Sequence, residues 1–175
     1  MLVGICGALR AESSNRKLMF EAARLYGGEF LEADIRFPLY DNDLEDRDGV
    51  PATVRLLSEQ IGEAEAVIIA APEYNQSFSG VLKNALDWIS RTREAPWRDK
   101  PVALMSSAAG RAGGARAQYA LRLAMNPFRP RLLTGPEVLV ADGRKQFDAE
   151  GRLTNERALN SLTELMDGLR ATARG

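Results

Sequence analysis

The sequence predicts a doubly wound α/β fold, a five-stranded parallel sheet in the order 2-1-3-4-5 with helices on both faces. Two observations carry the class: short apolar runs of strand type alternate with longer segments of helical period, and the run Ala66 to Ala71 is apolar without a break, as in a strand covered on both sides. A third bounds the architecture. At 175 residues the chain can build one complete hydrophobic core but not two ordinary domains, and no repeat or linker divides it. One domain is expected over residues 1–175.

The elements follow in order. A strand at Leu2 to Cys6 leads through a turn into a helix in which Leu18, Ala22, Ala23 and Tyr26 recur at helical spacing. A second strand is expected at Phe30 to Ile35, followed by a long polar loop. Pro51 suits the first turn of a helix carrying Val54, Leu57 and Ile61 on its apolar side. Pro72 stops the third strand, Ala66 to Ala71, and after Gly80 a helix turns Val81, Leu82, Ala85, Leu86 and Ile89 inward, with Lys83, Asn84 and Asp87 directed elsewhere. Lys83 and Asp87, four apart, suit a solvated ion pair. The fourth strand spans Val102 to Ser106, and a glycine-bearing loop, Ala109 to Gly114, opens a helix that Asn126-Pro127 ends. A fifth strand at Glu137 to Ala141 and a helix from Thr154 to Leu169, striped by Leu159, Leu162, Leu165, Met166 and Leu169, complete five strands and five helices.

Composition narrows the function. Charges are mixed along the chain, 23 basic against 24 acidic for a net of −1, so no field favours nucleic acid or anionic lipid. The N-terminal run MLVGICGALR is too short for a signal peptide, and no stretch reaches the roughly 20 apolar residues of a membrane helix. A cytoplasmic location is expected. The single cysteine, Cys6, cannot pair internally, and in an apolar strand it is expected to be a buried, inert thiol. There is no histidine, which removes every imidazole-based mechanism and His-containing zinc sites. An enzyme of this composition would leave the difficult chemistry to a bound cofactor. No catalytic side chain and no metal site are predicted.

In an open parallel sheet the ligand lies beyond the carboxyl ends of the strands, where the strand order reverses. Three loops meet there. The first, Gly7-Ala8-Leu9-Arg10-Ala11-Glu12-Ser13-Ser14-Asn15, lacks the GxGxxG and GxxxxGK[ST] fingerprints but offers two hydroxyls, an amide and a guanidinium where a helix begins, a compact site for a terminal phosphate dianion. Simple helix capping by Ser13 or Ser14 explains the serines equally well. The second begins Pro72-Glu73-Tyr74-Asn75; a proline and an aromatic beside exposed backbone suit the edge of a flat ring, although a proline-led surface turn is the plainer account. The third, Ser106 to Gly114 with Ser107 and Gly110, is small enough to admit a planar ligand to the main chain, or is an ordinary connection. Arg111 or Arg116 could meet a phosphate of a second nucleotide, or simply face solvent.

Taken together, these segments resemble the NAD(P)H-dependent FMN reductase family, which includes bacterial quinone and chromate reductases on a flavodoxin-like fold. The first loop follows the family's G-S-x-R-x-x-S-x-N at Gly7, Arg10, Ser13 and Asn15, with Ala8 in place of serine. The stretch PEYNQSFSGVLKNALDW matches P-E-Y-N-x-S-x-x-G-x-L-K-N-A-x-D-W at more than ten of seventeen positions, and GGARAQYALR resembles the family's fourth helix. Ser79 stands where proline is frequent, which is expected to loosen that turn. The resemblance implies that Gly7, Arg10, Ser13 and Asn15 hold the phosphate of FMN, beside the candidate hydroxyl of Ser14 in the same loop, that Pro72, Glu73, Tyr74 and Asn75 border its ring, and that Ser107 and Gly110 lie near it. It implies a cycle in which NADPH or NADH gives a hydride to the flavin, leaves, and is replaced by a quinone, free flavin or another small acceptor such as chromate or a ferric chelate. It also implies a homodimer or homotetramer, for which Tyr119 and Leu123 are contact candidates unless Leu123 packs in the core. A flavodoxin-type electron carrier is the rival from another class. Such carriers present a strongly acidic face, which the near-neutral charge here does not supply. A phosphate-binding regulator without flavin is a third possibility.

Overall fold

The computed structural model describes residues 1–175. Its elements are β1 (Leu2–Cys6), α1 (Ser14–Tyr26), β2 (Phe30–Ala33), α2 (Asn42–Asp48), α3 (Ala52–Glu63), β3 (Ala66–Ala70), α4 (Gly80–Ile89), β4 (Pro101–Ser107), α5 (Ala115–Met125), β5 (Arg131–Leu132), β6 (Val138–Val140) and α6 (Glu156–Arg174). The sheet is parallel throughout, in the order β2-β1-β3-β4, and both β5 and β6 lie along the outer edge of β4. The predicted 2-1-3-4-5 order therefore holds, with the fifth position filled by two short pieces. β5 pairs with the start of β4 and β6 with its end. Between them lies Pro136, which has no N–H to give a ladder, and the predicted Glu137–Ala141 corresponds to the second piece alone.

Successive residues of a strand face opposite sides, and the two halves of the core are built this way. Val3, Ile5, Val67, Ile69, Val102 and Leu104 pack toward α3, α4 and α5, where they meet Val54, Leu57, Ile61, Leu86 and Leu121. Leu2, Ile68, Ala103 and Met105 pack toward α1 and α6, against Leu18, Ala22, Leu162, Leu165 and Leu169. Cys6 is buried on this second side, and burial raises its thiol pKa above the ordinary cysteine value, as an inert core thiol requires.

Two sequence expectations are corrected and a third is made specific. The loop after β2 contains a helix, α2, capped by Asp41, whose side chain accepts from the Asp43 N–H at 2.9 Å. Pro51 precedes α3 as its capping residue instead of entering the first turn. Asn84 does not face solvent: it is buried, accepts from the Tyr40 N–H at 2.8 Å and donates to the Pro38 carbonyl at 2.9 Å. Trp88 donates to the same carbonyl at 2.8 Å and meets the Tyr40 ring edge to face. These two α4 residues thus clasp the segment that leads to α2. Lys83 and Asp87 form the expected exposed pair at 2.6 Å.

One buried charge ties the helical layer to the loop before α6. Glu21 on α1 is 3% exposed and lies 2.9 Å from Arg24 and 3.3 Å from Arg152. Burial pushes its pKa up, but hydrogen bonds from the two guanidiniums outweigh this and hold it below the ordinary carboxylate value of 4.5. A depressed carboxylate stabilises the fold fully above its unfolded pKa and loses that contribution as pH falls through the folded value. Glu21→Gln is expected to cost about 1–3 kcal/mol at pH 7 and to leave a smaller difference from wild type in urea titrations repeated below pH 4.5. A constant difference across that range would show that the charge is not what Glu21 contributes.

Candidate functional site

The carboxyl ends of β1, β3 and β4 deliver the three predicted loops to one edge of the sheet. Side chains staple them to each other in pairs. Ser79 Oγ donates to the Gly7 carbonyl at 2.6 Å, joining the first loop to the second. Asn15 on α1 donates through Nδ2 to the Ser107 carbonyl at 2.8 Å and accepts from the Ser107 N–H at 2.9 Å, joining the first to the third. Glu73 accepts from the Arg116 N–H at 3.2 Å and lies 3.7 Å from that guanidinium, joining the second to the start of α5. A carboxylate is favourably placed at a helix N-terminus, where backbone N–H groups are unpaired.

Each loop has its own local logic. In the first, Ser13 is the cap of α1: its hydroxyl accepts from the Asn15 N–H at 3.2 Å, so capping is part of what the serine does. Gly7 lets the two loops touch, because a Cβ there would stand 2.9 Å from Pro72 and 3.1 Å from Ser79. In the second, the Tyr74 N–H donates to Ser77 and the Ser77 N–H to Tyr74, at 2.9 and 3.1 Å. The residues between, Asn75 and Gln76, both have positive φ, the turn form that asparagine tolerates best. Ser79 does not loosen this loop as its departure from proline suggested. It caps α4 and holds Gly7.

Where these loops meet, a cavity of about 220 Å³ opens. The first loop contributes Arg10, Ser13, Ser14 and Asn15, the second Pro72, Glu73 and Tyr74, and the third Ser107 with Ala108 and Ala109. Ser107 is 2% exposed and its hydroxyl has no hydrogen-bond partner, an uncommon state for a buried polar group. Three predicted residues are not in this lining. Gly7 works behind it as a spacer, Asn75 is exposed at the turn tip, and Gly110 is exposed with open space around it. Ala8 is buried in the core and is also absent from the lining, so its missing hydroxyl lies off the cavity. Arg116 is engaged by Glu73, whereas Arg111 is exposed and unpaired.

Sequence reasoning missed one wall. Arg144, in a short turn at Gly143–Lys145 after β6, lines the same cavity. The rule that ligands sit beyond the carboxyl ends of strands applies to the fifth position as to the others, and Asp142-Gly143-Arg144 directly after an apolar strand was the available signal. Several cavities are larger, and the two of about 530 and 580 Å³ lie elsewhere. One borders Trp97 and Phe128 near the start of β4 and the other flanks β6 and α6. Neither draws on the loops that follow β1 and β3, so volume is a poorer guide here than the convergence of polar groups.

A doubly wound sheet with a helix N-terminus, guanidiniums without acidic partners and a buried free hydroxyl at its switch point is an α/β arrangement suited to an anionic mononucleotide. The family described as NADPH-dependent FMN reductase matches residues 1–145, and the chain belongs to that family. It is 40% identical over 176 residues to an NAD(P)H-dependent FMN reductase of Pseudomonas aeruginosa, covering 99% of this chain and 95% of that protein. It is 42% identical over 132 residues to a quinone reductase of Escherichia coli, covering 75% of this chain and 69% of that one. Among solved structures, the flavoenzyme FerB, an NAD(P)H:(acceptor) oxidoreductase from Paracoccus denitrificans, superposes with a TM-score of 0.88 at 30% identity, covering 99% of this chain and 96% of that one. Family membership sets aside the electron-carrier reading and makes the chain an oxidoreductase.

Proposed function

We propose that this chain binds FMN at the stapled loops and passes electrons from NADPH or NADH to quinones, free flavin or other small acceptors. The observation that carries this is the cavity between the loops: Arg10 without an acidic partner, the start of α1 and the unpartnered Ser107 hydroxyl suit a phosphate monoester, which brings close to two negative charges and several acceptor oxygens. Arg10, Ser13, Ser14 and Ser107 are its direct partners, with Asn15 and Gly7 holding them in place. Pro72, Glu73 and Tyr74 form the adjoining ledge for the ring. FMN held there would supply the redox chemistry that links the two-electron donor, reduced nicotinamide, to the acceptor.

The chain's own part is positioning. Pairwise stapling fixes three loops before ligand arrives, which lowers the ordering cost of binding. Tyr74 is 54% exposed, so the ledge lies open to solvent and donor and acceptor use it in turn. No helix is long and apolar enough to cross a membrane, in keeping with a cytoplasmic enzyme. Self-association as a dimer or tetramer belongs to the same proposal, and the exposure of Tyr119 (56%) and Leu123 (71%) on α5 supports it. Core packing does not account for Leu123.

Purified protein is expected to be yellow and to release FMN, not FAD, and to give parallel double-reciprocal lines when NADPH and a quinone are varied, with light scattering of the same sample reporting an oligomer. A colourless protein that takes up no added FMN would remove the proposal. Intersecting lines would replace the shared ledge with a ternary complex.

A further inference from the structure

Resting on the phosphate site proposed above, we infer that Arg144 is a specificity-determining residue of that site, which with Arg10 forms a two-guanidinium clamp selecting FMN over unphosphorylated riboflavin. The turn that carries it is built into the site's wall. The Gly143 N–H donates to the Ala108 carbonyl and the Ala108 N–H to the Val140 carbonyl, both at 3.0 Å. A Cβ on Gly143 would stand 2.0 Å from Ser107 Oγ and 3.0 Å from Ser14 Oγ, so the turn lies directly against the third loop and the first residue of α1. Asp142, with φ 50, reverses the chain just before it, and the Lys145 N–H closes the turn on the Asp142 carbonyl at 2.8 Å.

Charge gives the second line of support. Four charged residues line the cavity: Arg10, Glu12, Glu73 and Arg144. Glu12 pairs with Lys17 at 3.3 Å and Glu73 with Arg116 at 3.7 Å, both cations that lie outside the lining. Neither Arg10 nor Arg144 has a carboxylate within ion-pair distance. Both acids are thus neutralised from outside, while the two guanidiniums lining the cavity remain uncompensated and the buried Ser107 hydroxyl has no partner. The surplus of two positive charges matches a phosphate monoester dianion, and guanidinium is the donor best shaped for it.

The test is fluorescence titration of the full chain, freed of flavin, with FMN and with riboflavin, for wild type, Arg144→Ala, Arg144→Lys and Arg10→Ala. Arg144→Ala is expected to weaken FMN about tenfold, the effect of losing one hydrogen bond to a charged group, and to leave riboflavin unchanged. Arg144→Lys should recover part of the loss, since it keeps the charge but not the fork. The salt dependence of FMN binding should also become shallower in Arg144→Ala. Equal loss for both ligands, or loss for neither, would overturn the assignment, as would a raised KM for NADPH with FMN affinity intact, because the arginine would then serve the dinucleotide. The two levels separate cleanly: a wild type that does not prefer FMN over riboflavin sinks the phosphate site itself, whereas a strong preference with Arg144 silent sinks only the clamp.

Discussion

Arg10→Ala is expected to weaken FMN binding about 30-fold or more and to leave riboflavin binding nearly unchanged. Arg10 is exposed, has no acidic partner, and its carbonyl accepts from the Ser13 N–H at 3.1 Å, so the backbone turn that carries it does not depend on its side chain. Truncation therefore removes the proposed phosphate partner without disturbing the fold. A charge-assisted bond to a phosphate that the ligand itself shields from water belongs to the stronger class of polar contact, and deleting one member of such a pair costs roughly 2–5 kcal/mol, which sets the lower bound of about 30-fold. Titration of both ligands into both proteins decides the matter. Parallel losses for FMN and riboflavin would move Arg10 from the phosphate to the architecture, and no loss for either would leave it a solvated surface charge.

The contrast between Arg10 and the residues around it shows what was legible in the sequence. Strands and helices with apolar periodicity were readable because burial imposes that period: β1, β3 and β4 are buried along their whole length. The helix α2 was not, since Asn42–Asp48 has no buried residue and is held by its Asp41 cap instead of a core face. β5 escaped because two residues, one of them exposed, carry no period. At the site, residue types suggested which groups suit an anion but not which are already spent. Asn15 and Glu73 carry groups suited to a ligand, yet in the fold Asn15 binds the Ser107 backbone and Glu73 a backbone N–H at the start of α5. Arg144 reads as a surface charge in the chain and becomes a cavity wall only once β6 is placed beside β4. The pairing of Asn15 with Ser107, 92 residues apart, leaves no local trace.

Asn15→Ala is accordingly expected to act on the architecture first and on the ligand through it. Asn15 is 3% exposed, and its amide both donates to and accepts from the backbone of Ser107, a residue that lines the cavity. Alanine would strand a buried N–H and a buried carbonyl, each costing about 1–3 kcal/mol when left without a partner. Water admitted to the gap would recover some of this, so a net loss of about 2–4 kcal/mol is expected, which lowers the melting temperature by about 5–15 °C for a chain of this size. FMN and riboflavin should weaken by similar factors, because the third loop that both ligands adjoin is released. Asn15→Asp separates the two contributions: its carboxylate can still accept from the Ser107 N–H, but it faces the Ser107 carbonyl without a proton to offer and places a negative charge beside the phosphate. It should therefore penalise FMN more than riboflavin while also lowering the melting temperature. A variant Asn15→Ala with unchanged melting temperature and a loss confined to FMN would show that the amide serves the phosphate directly and that the staple between α1 and the third loop contributes little.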